Sequence, residues 1–211
     1  MENLTFNNLN SLRKTFLKKN SNKDHIILKG SNNILISAPH GVPQVRLGKC
    51  KAQEIGSLST ALYLHHQTNC FLIAKTQCNN DDANFDDESS YKNSIIDLIK
   101  RYNIKYILDF HGLASHRNCD INLGIHLGDN IKNNIRLFNK LNESLSNDCF
   151  KVSIDQPFMA CSKTICSSMV KQFNDIWAIQ IEINCGITNK KENFTLNYKL
   201  MQILKNWINS I

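Results

Sequence analysis

The stretch Tyr106-Ile107-Leu108-Asp109-Phe110-His111-Gly112 constrains this chain more than any other. A short apolar run that ends at a glycine reads as a buried strand running into a turn. In sheets built from such strands, ligands and reacting groups collect outside the carboxyl ends. Asp109 and His111 are two residues apart, so on a strand both side chains point to one side. That spacing suits a metal-ligating imidazole with a carboxylate behind it. A histidine satisfied by a backbone carbonyl would look the same in isolation, so the other strand ends decide.

Ile34-Leu35-Ile36-Ser37-Ala38 is a second buried strand, and it runs into Pro39-His40-Gly41. A third, Ile179-Gln180-Ile181-Glu182-Ile183-Asn184, carries a carboxylate in apolar surroundings. Such a group costs several kcal/mol of desolvation unless it is paired, metal-bound or at the mouth of a site. Glu54 opens a helical pattern carried by Ile55, Leu58 and Leu62. Two histidines and a carboxylate are a usual ligand set for catalytic zinc, whose remaining position holds water.

The rest of the chain supplies a frame. Helical spacing is read over Leu4–Lys19, Tyr91–Tyr102, Ile131–Leu145 and Phe194–Ile208, and strands over Ile26–Leu28, Cys70–Ala74, Asp120–Leu127 and Phe150–Ile154. Loops are read over 41–51, 79–90 and between Ile154 and Trp177. Helices alternating with strands point to an α/β fold, a mixed and largely parallel central sheet covered on both faces. At 211 residues a single catalytic domain is expected, with residues 1–24 as a helical extension packed on it.

Composition excludes several classes. No apolar run is long enough to span a bilayer, and the first residues lack the apolar core of an export signal, so a cytoplasmic protein with no membrane partner is expected. Eight cysteines form no Cys-x-x-Cys pair and are read as reduced thiols. The net charge of +7 is spread along the chain without a basic stripe, so no nucleic-acid partner is expected.

These residues resemble the N-formylglutamate amidohydrolase family, of the zinc carboxypeptidase and aspartoacylase group. Ser37-Ala38-Pro39-His40-Gly41 is similar to its first metal motif, Glu54 to its acidic ligand, and Asp109-Phe110-His111-Gly112 to its Asp-x-His segment. Arg117-Asn118-Cys119-Asp120 with Leu123-Gly124, and Gln180 to Asn184, are similar to later segments. The resemblance implies a three-layer hydrolase-like fold and Zn2+ held by His40, Glu54 and His111. It further implies Glu182 as general base, Arg117 at the oxyanion, Asp109 behind His111, and Arg46, Asn84 and Asn184 toward a small-molecule substrate, an N-acyl amino acid or peptide-like amide.

The chain departs from the family at Phe85 and Cys185, where the pattern has arginines, and at Ala160-Cys161, where it has a glycine pair. Arginine grips carboxylates bidentately, so a substrate other than N-formylglutamate is expected. Two further readings stand beside this one: a metal-binding protein without turnover, and a thiol hydrolase using Cys166 or Cys185.

Overall fold

The computed structural model describes residues 5–19 and 21–211. Seven strands form the central sheet: β1 (His25–Leu28), β2 (Ile34–Ala38), β5 (Phe71–Lys75), β6 (Tyr106–Leu113), β7 (Ile121–Gly124), β8 (Val152–Ile154) and β9 (Trp177–Asn184). Their order is β1-β5-β2-β6-β9-β7-β8. The four strands β5, β2, β6 and β9 run parallel, β1 is antiparallel at one edge, and β7 and β8 run against β9 at the other. A small hairpin, β3 (Gln44–Arg46) and β4 (Lys49–Lys51), stands apart from this sheet.

Helices cover both faces, so this is a three-layer α/β architecture. On one side lie α1 (Phe6–Leu17), α2 (Ile55–Thr68), α4 (Ile135–Asn147) and α7 (Phe194–Ile208), joined in one core through Leu9, Leu58, Phe138 and Leu204. On the other lie α3 (Ser90–Tyr102) and α5 (Ile165–Gln172), packed through Tyr91, Ile95 and Met169. Strand β9 shows how the alternation feeds both cores. Trp177, Ile179, Ile181 and Ile183 join the first and Ala178 the second, which turns Gln180 and Glu182 toward the α3/α5 side.

Helix ends follow local chemistry. Ser89 caps α3 by accepting from Lys92 N, and α2 and α3 stop where Asn69 and Asn103 turn left-handed, with φ of 54° and 52°. Glu54 sits at the N-cap of α2 but makes no capping bond, so its carboxylate is free for other work. Close approach requires Gly56: a Cβ there would meet the Thr188 hydroxyl at 2.0 Å. That contact seats α2 on the short helix α6 (Cys185–Thr188) that follows β9.

Several elements differ from the sequence reading, three of them for a local reason. The strand expected to reach Leu127 ends at Gly124, because the Asp155 carboxylate accepts from the amides of Ile125, His126 and Leu127 and removes them from the ladder. The helix expected from Ile131 starts at Ile135, where Asn134 caps it by accepting from Leu137 N. The segment read as a loop before Lys51 is the β3–β4 hairpin, turning at Leu47 and Gly48 with positive φ. Helix α5 was not expected at all. The first α1 residue described is Phe6; Leu4, from which that helix was read, lies outside the described residues, as does Asn20 in the break after it.

Among the described residues no helix is long and apolar enough to cross a membrane. All eight cysteines are free thiols, with Cys70, Cys119 and Cys166 buried.

Candidate active site

The chain runs from β2 through α2 to β5 on one side of β2, then crosses back to β6 on the other. This reversal opens a crevice outside the carboxyl ends of β2 and β6, where α/β sheets bind ligands. His40 follows β2, and His111 lies near the end of β6. Glu54 is brought to them by a backbone bond, its N–H donating to His40 O at 2.8 Å.

Three donors converge there. His40 Nδ1 is 3.0 Å from Glu54 Oε1, His111 Nδ1 is 3.2 Å from Glu54 Oε2, and the two Nδ1 atoms are 3.1 Å apart. Zinc bonds of ~2.0–2.1 Å at tetrahedral angles put ligand atoms ~3.3 Å apart, so this triangle has the dimensions of a metal site. His40, Glu54 and His111 are a group able to hold a metal ion. Gly112 is needed beside it, since a Cβ would lie 3.0 Å from Glu54 Cβ while Gly112 N donates to Glu54 Oε2 at 2.9 Å.

Each imidazole is turned by a carboxylate on its far nitrogen. Asp109 Oδ2 lies 3.0 Å from His111 Nε2, and Asp82 Oδ1 lies 2.8 Å from His40 Nε2. Such partners fix which ring nitrogen faces a metal and raise its basicity. Electrostatics agrees. Burial opposes charge on His111, yet Asp109 and Glu54 outweigh it and hold its pKa well above the usual histidine range. Burial likewise opposes charge on Glu54, but the two histidines hold its carboxyl far below the usual range.

Glu182 is the neighbour of His111 in the β6–β9 register and is 5% exposed. Gln180 Nε2 donates to Glu182 Oε1 at 2.8 Å, and Asn84 Nδ2 donates to Gln180 Oε1 at 3.1 Å. Asn84 Oδ1 in turn accepts from Ile165 N at the start of α5. This chain of amides fixes one carboxylate oxygen and leaves the other for chemistry. Burial, above all, pushes the Glu182 carboxyl up to about 7. No lysine or arginine pairs with it among the described ion pairs, and a buried ion pair was the alternative role for this residue.

The triad and Glu182 face an open cleft of about 920 Å³. Segment 157–164 forms one wall, anchored by Asn122 to Phe158 N and by Asn130 to Ala160 O. Ala160 has φ 58°, the left-handed conformation that glycine adopts most easily.

Six of the eight expected site residues line this cleft: His40, Glu54, His111, Glu182, Arg46 and Asn84. Arg46 donates to Asp82 Oδ2 through Nε and Nη2 and covers the Phe85 ring at 4.9 Å. Arg117 and Asn184 are not among the lining residues. Arg117 is exposed with its guanidinium 5.9 Å from the Phe158 ring centre. Asn184 is buried, donating to Cys119 O and Arg117 O and capping Gly186 N. Sequence reasoning missed the roles of Asp82 and Gln180. Gln180 carried a signal, a second polar residue two before Glu182 on one strand; Asp82 opened the acidic loop Asp82-Ala83-Asn84-Phe85, whose likeness to the family's Asp-x-Asn-Arg was the signal for it.

Two nucleophile arrangements do not reach the cleft. Cys166 is wholly buried in α5, where burial pushes its thiol well above the usual range. Ser94, His25 and Asp24 form a bonded chain of 2.8 and 2.6 Å, but Ser94 is 2% exposed and Lys23 Nζ donates to its hydroxyl. That cluster ties β1 to α3.

No protein-family model matches the sequence, and no curated protein matches it. Solved structures share the fold. One is a gene product of Agrobacterium tumefaciens, 12% identical over 94% of this chain and 99% of that one, with a TM-score of 0.69. Another is an N-formylglutamate amidohydrolase from Ralstonia eutropha, 11% identical over 89% of this chain and 98% of that one, at 0.60. A third is a bacteriophage poly-γ-glutamate hydrolase, 12% identical over 91% of this chain and 89% of that one, at 0.54. At these identities the likeness is one of fold.

Proposed function

We propose that this protein is a zinc-dependent hydrolase cleaving the amide bond of an N-acyl amino acid or a small peptide-like substrate. One observation carries the reading: a buried, unpaired Glu182 carboxyl stands beside three converging metal-type donors at the floor of an open cleft. Structures of the same fold include two enzymes that act on amides of glutamate by their names, which supports the reaction class.

Zinc held by His40, Glu54 and His111 would supply Lewis acidity, bringing the pKa of a water toward neutrality and polarising the scissile carbonyl. The protein's own groups do the rest. Glu182 takes one proton from the attacking water at its uncommitted oxygen, and the remaining hydroxide oxygen bonds to the carbonyl carbon. When the carbon–nitrogen bond breaks, Glu182 returns that proton to the leaving amine, and the second water proton passes from the product acid to the amine, so the products are a carboxylate and an ammonium. Gln180, held by Asn84, keeps the carboxylate aimed during both transfers. Arg117, exposed and set against Phe158 of the cleft wall, is the side chain assigned to the developing oxyanion. Arg46 has one guanidinium nitrogen, Nη1, uncommitted and meets substrate from the hairpin wall.

Two results are expected. Asp82→Asn removes the charged acceptor behind His40 while keeping the shape of the side chain. Zinc affinity should fall by roughly 10–100-fold, read by competition with a chromophoric chelator; unchanged affinity would detach Asp82 from the site. On N-formylglutamate, kcat/KM should stay below roughly 10⁴ M⁻¹s⁻¹, the lower end of the ordinary enzyme range. The reason is that Phe85 and Cys185, which both line the cleft, offer no guanidinium to a carboxylate. A value above that level would restore N-formylglutamate as the substrate.

The test of the proposal is a panel of N-acyl amino acids and dipeptides assayed with zinc supplied. Release of free amine, lost on chelation, supports it. A loaded site with no turnover on any member would favour a metal-binding protein of this fold.

A further inference from the structure

Helix α1 precedes the sequence motifs that resemble the amidohydrolases, the first of which begins at Ser37, yet it places a charge behind a residue of the cleft. Its buried stripe is Leu9, Arg13 and Phe16, so an arginine occupies a position in the core-facing row. Arg13 is 9% exposed, and its Nε is buried without an acceptor. Its hydrogen-bond partner is neutral: Nη2 donates to Gln53 Oε1 at 3.0 Å. Among the described residues no carboxylate forms an ion pair with it. Burial alone draws its pKa down, with no acid opposing the shift. Arg46 on the hairpin differs, because Asp82 already neutralises it.

Gln53 is where this charge meets the site. It is exposed, lines the cleft and directly precedes Glu54. Arg13 holds its carbonyl end, which leaves the amide N–H2 end uncommitted at the cleft rim. A cation on the carbonyl oxygen polarises the amide and strengthens those donors.

We propose that Arg13 is a positioning residue for substrate recognition: acting through Gln53, it makes the rim between α1 and α2 the seat of an anionic group, a carboxylate, on the substrate. This rests on the hydrolase reading of the same cleft and deepens it. The substrate then carries one carboxylate beside its scissile amide, gripped from a different direction than arginines at positions 85 and 185 would grip it. A single seat also agrees with poor use of N-formylglutamate, which has two carboxylates to satisfy.

The test compares binding of glutarate and of its monoamide by titration calorimetry on the zinc-supplied full chain. The two probes have the same length, and either can place one carboxylate at the metal. Only glutarate has a second for the rim. Wild type should bind glutarate about tenfold tighter than the monoamide, the usual scale for a charge-assisted contact. In Arg13→Gln the ratio should fall to about one, and Arg13→Lys should recover part of it. Gln53→Glu, at an exposed position, gives Arg13 its own carboxylate. It should raise the melting temperature while abolishing the preference.

In hydrolysis of a carboxylated substrate that is turned over, Arg13→Gln should raise KM with kcat nearly unchanged. Equal ratios in wild type, or a ratio untouched by Gln53→Glu, would overturn the proposal. So would Arg13→Gln losing stability with the ratio intact, which would mark a purely structural arginine. The calorimetric ratio needs no turnover, so failure of the hydrolase reading would show separately as a loaded protein without activity.

Discussion

Glu182→Gln is expected to lower kcat by roughly 10²–10⁴-fold, the usual contribution of general acid–base catalysis, while zinc stays bound. Glutamine is nearly isosteric, and its carbonyl can still accept the 2.8 Å bond from Gln180. What it cannot do is take a proton from water. Glu182 hydrogen-bonds none of the three converging donors, so the metal site has no need of it. Glu54→Gln should behave in the opposite way, since a neutral amide is a poor zinc ligand and Glu54 touches both imidazoles. Metal content and rate measured on one preparation of each variant separate the roles. Equal loss of metal in both would make Glu182 a ligand, and full activity in Glu182→Gln would remove it from the reaction.

His40→Ala and His111→Ala should each abolish stoichiometric zinc and with it activity, but they should differ in stability. Asp82, left behind by His40→Ala, keeps Arg46 as a partner. Asp109, left behind by His111→Ala, is wholly buried, and its Oδ1 already has no hydrogen-bond partner. Removing one member of a buried charged pair costs about 3–5 kcal/mol. At about 2–4 °C per kcal/mol for a chain of this size, His111→Ala should melt roughly 6–20 °C below His40→Ala. Both variants are compared without zinc, so the difference reports Asp109 alone. Equal melting temperatures would mean that water or a backbone group satisfies Asp109.

What the sequence made legible was the frame and the floor of the cleft. Strands β2, β6 and β9 are apolar runs of five to eight residues whose ends carry His40, His111 and Glu182, and a polar group at such an end has few places to go. By spacing alone Glu54 was legible only as the start of a helix, and the family resemblance alone named it a ligand; its convergence on the histidines depends on the His40 O bond that closes the intervening loop. Asp82 bonds a partner 42 residues away from within a loop, where no periodicity points to it. Segment 155–164 hid its conformation because Asp155, Ala160 and Ser162 take positive φ without a glycine to announce it. Helix α5 has only eight residues, two turns, too short for its Ile165–Met169 spacing to stand out. Arg13 carried no signal in the sequence, since burial on α1 is decided by how that helix sits on α2.

The central claim, that His40, Glu54 and His111 hold a catalytic zinc, is tested most directly by elemental analysis of protein purified without chelators, with N-acyl amino acid hydrolysis assayed on the same sample. The account predicts about one zinc per chain, and amine release that disappears with removal of the metal and returns with its addition. No stoichiometric transition metal in the purified protein, and none taken up when zinc is added, would contradict it.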